Sequence, residues 1–300
     1  MKNSLMALAF VPFMALNMPQ HQAHEFAPEN NLKLSVNMNF SGISEEEFTA
    51  ALDKVERIYS PIFEKRDATF VVRRFWEDGT VNAYAEQNGD QWIISMFGGL
   101  ARHQEVTQDG FTLVACHEIG HHIGGHPKMG WASNEGESDY YGTLKCLHRI
   151  WADEDSVSIV ANMKIDEVAA LACEKAWSKA MDVAVCKRSA MAGKGVARLL
   201  AQLGGQTMPE FDTPDKSKTE TTINYHPPAQ CRMDTYFAGA LCTVDFNIDV
   251  DDVDPTIGVC ALGEVGGRPR CWFNIPDPNA PPPDDEEERQ RNQTATARRY

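Results

Sequence analysis

The 300-residue sequence predicts an α+β protein: a small antiparallel sheet with an edge strand, then a mainly helical half, then a cysteine-rich C-terminal segment. Three observations carry this. Short β-rich runs cluster between residues 69 and 97, apolar residues recur at helical spacing between 107 and 203, and all eight cysteines fall at or after Cys116.

The first 23 residues read as a signal peptide, with a positive start (MKNS), an apolar run (LMALAFVPFMAL) and a polar exit. The apolar run is too short to span a bilayer, and no other stretch reads as a stable membrane span. Residues 32–40 (LKLSVNMNF) alternate like a strand. From Ser44 the sequence SEEEFTAALDKVERIY opens with a capping box, Ser44 with Glu47, and continues at helical period. Residues 69–76, 80–86 and 91–97 read as strands, the last two joined through Asn88-Gly89, a hairpin signal. From 107 to 203 the pattern is helical, with breaks at Gly124-Gly125, around 153–155, near Gly193 and at Gly204-Gly205. The organisation expected is therefore a leader at 1–23, a main domain at 24–230, a cysteine-bearing segment with short strands at 231–275 and a disordered, Pro-rich then charged tail at 276–300.

A net charge of −15 disfavours nucleic acid and anionic membrane surfaces. The even cysteine count, without any C-x-x-C, fits disulfides in an exported protein, periplasmic or secreted, rather than a thiolate metal cluster. Nearness in sequence favours Cys260 with Cys271 and Cys173 with Cys186.

The chemistry concentrates in CHEIGHHIGGHP, residues 116–127. His117-Glu118-Ile119-Gly120-His121 fits H-E-x-x-H: on a helix the two histidines share a face and suit one Zn²⁺, while Glu118 beside them has a general base's position. A catalytic zinc needs a third protein ligand. The metzincin pattern would place a histidine at 127, where Pro127 stands, and His126 is one residue early. His122 lies about 100° around the helix from His121, a position for a supporting or surface contact. Downstream, SNEGESDYYGTLKCLHRIW offers Asn134 as a helix cap with Glu137 completing a capping box. Glu135 and Asp139, four apart, let Glu135 bind the metal while Asp139 accepts the spare ring N–H of a ligand histidine.

H-E-x-x-H followed by E-x-x-x-D looks like the gluzincin arrangement, and the thermolysin-like motif N-E-x-x-S-D also fits residues 134–139. The stretch VNAYAEQNGDQWIISMFGGL at 81–100 resembles the N-A-F-A hairpin that precedes the metal helix in the HtpX-like and BepA-like metallopeptidases, peptidase family M forty-eight. His226-Pro227 followed by Arg232 resembles that family's later H-P-x-x-x-x-R motif. These motifs cover about half the chain. The resemblance implies a zincin-like fold and a Zn(2+)-dependent metalloendopeptidase acting on a protein or peptide substrate. It implies metal ligands His117, His121 and Glu135, with Asp139 behind them, and catalytic Glu118, His226 and Arg232: His226 on the scissile carbonyl or its oxyanion, Arg232 supporting that loop. It also implies an edge strand at Asn82, Ala83, Tyr84 and Ala85 that pairs with an extended substrate backbone. The sequence departs from the family in a short link from His121 to Glu135, in the absence of spanning helices and in its late cysteines.

Another class of reading is a catalytically latent, peptide-binding or chaperone-like module on the same scaffold. Cys116 reads as a disulfide or core cysteine rather than a thiol switch, and the aspartates of DFNIDVDDVDP lack the glycine and terminal glutamate of an EF-hand. Oligomeric state is not legible.

Overall fold

The computed structural model describes residues 23–37 and 42–275. The expected leader, apart from Ala23, and the expected tail lie outside the described residues, as do positions 38–40 of the anticipated first strand. What is described of that strand makes only one bridge, Lys33 with Thr80, because its backbone otherwise runs as turn and loop.

The chain contributes first a two-residue strand β1 (His24–Glu25) and then helix α1 (Glu45–Glu64). Ser44 caps α1 through both arms of the box: the Glu47 amide donates to Ser44 Oγ at 3.2 Å and the Ser44 amide to Glu47 Oε2 at 2.8 Å. Phe48, Leu52, Val55, Tyr59 and Phe63, spaced three and four apart, bury one face.

Strands β2 (Thr69–Phe75), β3 (Ala83–Asn88) and β4 (Gln91–Phe97) follow, and the sheet order is β1-β3-β4-β2. The β3–β4 hairpin forms as expected, Gly89 supplying the left-handed turn residue at φ 62°. The sheet is mixed, not antiparallel throughout: β2 pairs parallel with β4, Thr69 to Gln91 through Phe75 to Phe97. β4 is the most apolar of these strands and buries Ile93, Ile94, Ser95 and Met96 in succession, so it takes the centre and pushes β3 outward. The outer side of β3 is not free, since β1 pairs antiparallel with it, His24 opposite Ala85 and Glu25 opposite Tyr84.

After the single turn α2 (Gly98–Ala101) comes α3 (Gln108–Ile123), capped by Thr107 Oγ1 and buried all round from Gly110 to Ile123. A small hairpin, β5 (Lys128–Met129) with β6 (Ala132–Ser133), leads into α4 (Glu135–Tyr141), a π-helical turn at Gly142–Cys146 and α5 (Leu147–Ile150). Then come α6 (Ser156–Val160), α7 (Glu167–Ala176), α8 (Ala180–Leu203) and α9 (Ala229–Leu241). The anticipated break near Gly193 does not occur. α8 runs through it, and a Cβ there would sit 2.5 Å from Tyr236 Cβ, so this glycine serves close packing against α9. The segment after Cys231 likewise corrects the expectation of short strands: Cys231, Thr235 and Gly239 with Arg232, Tyr236 and Ala240 give it buried helical faces. Turns occupy residues 243–275, with no strand among the described residues there.

The main core lies between the sheet, α1 and α3, and includes Phe26, Tyr59, Phe111 and Leu113. Four disulfides join Cys116–Cys146, Cys173–Cys186, Cys231–Cys271 and Cys242–Cys260. The expected Cys260–Cys271 link is therefore wrong. The turns at Gly263 and Gly266 carry the chain back so that Cys271 meets α9 at Cys231, with Trp272 and Phe273 buried beside it. No helix among the described residues is long and apolar enough to cross a membrane.

Candidate metal centre

α3 and α4 lie against each other in opposite directions, as the order of close approaches shows: Gly124 faces Ser133, Gly120 faces Ser138, and Gly142 lies over Cys116 and His117. Gly120 permits this approach, because a Cβ there would meet Ser138 Cα at 2.8 Å. The Cys116–Cys146 disulfide fastens the residue before His117 to the end of the π-helical turn. Cys116 is thus structural, as its position off the metal face implied.

His117, Glu118 and His121 are completely buried and Glu135 is nearly so. His117 Nε2 stands 3.3 Å from Glu135 Oε2, and His121 Nε2 stands 3.7 Å from Glu135 Oε1. The opposite ring nitrogens are engaged: His117 Nδ1 lies 2.8 Å from Asp139 Oδ1, and His121 Nδ1 donates to the Ser133 carbonyl at 2.9 Å. These partners orient both rings and turn both Nε2 atoms toward Glu135. Asp139 therefore sits where the spacing put it.

Behind Asp139 is a buried network that the sequence shows only in part. Arg232, 1% exposed, donates from Nε to Asp139 Oδ2 and from Nη2 to Oδ1, each at 2.7 Å, and Tyr236 donates its hydroxyl to Oδ1 at 2.5 Å. Arg232 thus meets the carboxylate that lies on His117. Glu137 corrects its expected part too. Asn134 accepts the Glu137 amide, but the Glu137 side chain does not complete the box; it forms a buried ion pair with Arg268 at 2.7 Å. That pair ties the C-terminal segment to α4, and Gly136 leaves room for the Trp272 ring, which a Cβ would meet at 2.3 Å.

His226 reaches the same centre, its Nε2 3.3 Å from Glu135 Oε2 and donating to the Glu25 carbonyl at 2.8 Å. His122 turns away, donating to the Ile93 carbonyl at 3.1 Å with its ring stacked on those of Trp92 and Trp131. His126 belongs to none of the metal-compatible groups among the described residues. Neither do the aspartates of 245–254, which cap turns or pair with Arg149, Arg66 and Lys128. A cluster of Asp215, Cys231 and Cys271 has both sulfurs consumed by a disulfide.

His24, absent from the sequence reading, is the addition. One of its ring nitrogens lies within 4.8 Å of ligand atoms of His121 and Glu135, and its ring centroid is 4.9 Å from that of His121. The residues expected to present a free edge are built around its strand: Ala83 and Ala85 are buried, Tyr84 packs edge-on against Phe97, and the Asn82 side chain bonds the backbone of Ala27.

Whether these residues fit a cation is decided by what they leave unpaired. His117 Nε2, His121 Nε2, both oxygens of Glu118 and Glu135 Oε2 are buried without a hydrogen-bond partner, the approaches to Glu135 Oε2 being ion-pair distances off the hydrogen-bonding direction. Buried polar atoms left so cost free energy unless something neutralises them. Asp139 and Glu135 lie 2.7 and 3.9 Å from the buried Arg232 guanidinium, and the His117 ring stands between the two carboxylates, so a dication at the Nε2 atoms would take over from the His117 proton in balancing them. Nitrogen and carboxylate donors with this second layer suit Zn²⁺.

Burial and the neighbouring charges set the acid–base state of the centre without a cation. Burial holds the His121 imidazole well below its usual range, and burial also lowers His24, so both are neutral donors. Burial would lower His117 as well, but the Asp139 carboxylate, helped by Glu135, outweighs it and holds the ring up to about 9. Burial opposes ionisation of Glu135, yet His121, His117 and His226 keep it below the usual carboxylate range. Glu118 is pushed up to about 8 by burial, and a cation alongside would bring it down again.

No family model matches the chain, and neither does any curated protein or solved structure.

Proposed function

We propose that this protein is an exported, zinc-dependent metalloendopeptidase. The observation that carries the reading is the set of buried, unpartnered atoms of His117, Glu118, His121 and Glu135, with the two Nε2 atoms 3.3 and 3.7 Å from the Glu135 carboxylate and the rings held from behind by Asp139 and Ser133. Zinc held by His117, His121 and Glu135 would supply a Lewis acid for a peptide carbonyl and lower the pKa of a water there.

The chain's own groups then divide the work. Glu118 lies beside the donor face with both oxygens free, so it accepts the proton of the water that adds to the carbonyl carbon and returns it to the amine nitrogen as the C–N bond breaks. His226 Nε2–H, already donating to a backbone carbonyl, serves as donor to the oxyanion that develops. Arg232 and Tyr236 keep Asp139 oriented on His117 and touch no reacting atom. The four disulfides support export to an oxidising compartment.

The test is cleavage of an unfolded, carboxymethylated protein by the zinc-loaded, oxidised chain, with Glu118→Gln alongside. The variant should bind zinc as tightly as the parent and cut about 10²- to 10⁴-fold more slowly, the usual contribution of a general base. Undiminished cutting by the variant overturns the mechanism. One observation favours a second reading, a module that grips extended chains: the outer edge of β3 already holds a strand. Zinc binding by both proteins, with peptide capture but no cutting by either, would select it.

A further inference from the structure

We infer that the chain's own segment at His24–Glu25 and the two residues after it occupy the substrate groove of the metal centre, with His24 as an additional nitrogen ligand, so that the protein is self-blocked until this strand leaves. The inference rests on the metallopeptidase reading and goes beyond it.

The segment is held as an extended peptide substrate would be, chiefly through its backbone. His24 and Glu25 pair antiparallel with Ala85 and Tyr84, and the Phe26 amide donates to the Ala83 carbonyl at 3.0 Å. Asn82 grips the next residue twice: its Oδ1 accepts the Ala27 amide at 2.9 Å, and its Nδ2 donates to the Ala27 carbonyl at 3.2 Å. The Phe26 carbonyl accepts from Arg232 Nη1 at 2.8 Å, and the Glu25 carbonyl accepts from His226 Nε2 at 2.8 Å. Backbone bonding of this kind is how a sheet edge takes up a peptide irrespective of most of its side chains.

Two side chains add specificity. Phe26 is fully buried, its ring edge-on to His117 at 5.4 Å and lying under the Arg232 guanidinium at 5.1 Å. The groove therefore takes a bulky aromatic or apolar residue two positions after the residue over the metal. His24 stands at that first position, its ring flanked by those of His121 and Trp131. His24, His121 and Glu135 have ligand atoms within 4.8 Å of one another, a group that leaves out His117; with His117 joined through Glu135, 3.3 Å away, they would fill a four-coordinate zinc with protein atoms and leave no place for water, the closed arrangement of an inactive site. A substrate must displace the strand from the sheet and the imidazole from the metal together.

The experiment is cobalt(II) substitution of the full, oxidised chain and of His24→Ala, read by visible absorption and by chelator competition. Cobalt should bind both. In the variant the absorption bands should shift as water replaces a nitrogen, and affinity should fall about tenfold or more, on the scale of lost metal-site contacts. A peptide of sequence Ala-His-Glu-Phe-Ala, added in trans, should restore the parent spectrum. The zinc-loaded variant should cut faster than the parent by the inverse of the parent's open fraction, and the peptide should inhibit it.

Identical spectra and affinities in parent and variant overturn the inference while leaving the peptidase reading standing. Failure of cobalt to bind either protein removes the metal reading, and the inference with it. If His24→Ala disturbs the fold of the metal-free protein, His24→Gln, which keeps bulk at the position, decides the same spectral question.

Discussion

Asp139 is the residue whose neutralisation should do most damage for the smallest change in shape. Its carboxylate is completely buried and meets His117 Nδ1 at 2.8 Å, Arg232 Nε and Nη2 at 2.7 Å each and the Tyr236 hydroxyl at 2.5 Å. Asp139→Asn keeps the volume and one acceptor oxygen, but puts an amide where the second oxygen faced Arg232 and leaves that buried guanidinium only the more distant Glu135 carboxylate, 3.9 Å away, as counter-charge. Breaking one side of a buried pair costs about 3–5 kcal/mol. For a domain of this size that is a fall of about 6–20 °C in melting temperature. Neutralising the acceptor that orients His117 should also weaken zinc about 10- to 100-fold. Urea unfolding of the oxidised, metal-free chain at pH 7 measures the first effect, and zinc competition with a chromophoric chelator measures the second. Pairing Asp139→Leu with Arg232→Met should be less costly than the two single changes added, because the double variant strands no charge. A stability loss below about 1 kcal/mol in Asp139→Asn, together with unchanged zinc affinity, would refute the network argument.

Replacing both Cys116 and Cys146 by alanine opens a link with a sequence separation of 30 residues and should cost about 3.6 kcal/mol by loop-closure entropy. Because that link adjoins His117, zinc affinity should fall as well, whereas the same replacement at Cys173 and Cys186 should lower melting temperature and leave zinc affinity alone. Equal affinities in the two double variants would show that the first disulfide does not hold the metal helix. Asp234 gives a pH signature away from the centre: burial, against the Asp215 amide and Gln230, raises its carboxyl to about 6. A carboxyl raised on folding stabilises fully below its unfolded value near 3.8, and that contribution is lost as pH rises through about 6. Asp234→Asn should therefore gain stability relative to the parent across that window, and parallel melting curves from pH 4 to 7 would contradict the assignment.

The part of the site that the sequence discloses is the part set by helical spacing. His117 with His121, and Glu135 with Asp139, are each four apart, so a local rule puts each pair on one face without knowledge of the rest of the chain. His226 and Arg232 were reachable only through a motif likeness, and spacing said nothing of where Arg232 would point. His24, Phe26 and Tyr236 carried no local signal at all: a histidine and a phenylalanine in a short polar-flanked segment, and a tyrosine on an ordinary helical face. What gives them a role is contact with residues about a hundred positions away. Strand partners failed for a similar reason, since alternation marks β2, β3 and β4 as strands but not that the most buried of them takes the centre. The disulfide guess failed because nearness in sequence favours a link only weakly. Going from a separation of 11 to 40 residues adds about 1 kcal/mol of closure entropy, less than the packing of Trp272 and Phe273 can supply.

The bond between Arg232 and Asp139 spans a sequence separation of 93, and the disulfide that secures Arg232's neighbour ends at Cys271. A chain emerging from the ribosome exposes its H-E-x-x-H segment long before the residues that aim it. On the proposed function, the nascent polypeptide would carry the reagents of a peptidase without their alignment, and proteins made beside it would meet a blunt instrument. Alignment arrives with the last turns of the fold and with oxidation of the sulfurs. Synthesis in one place and assembly in another would separate the capacity to cut from the compartment that could be harmed by it.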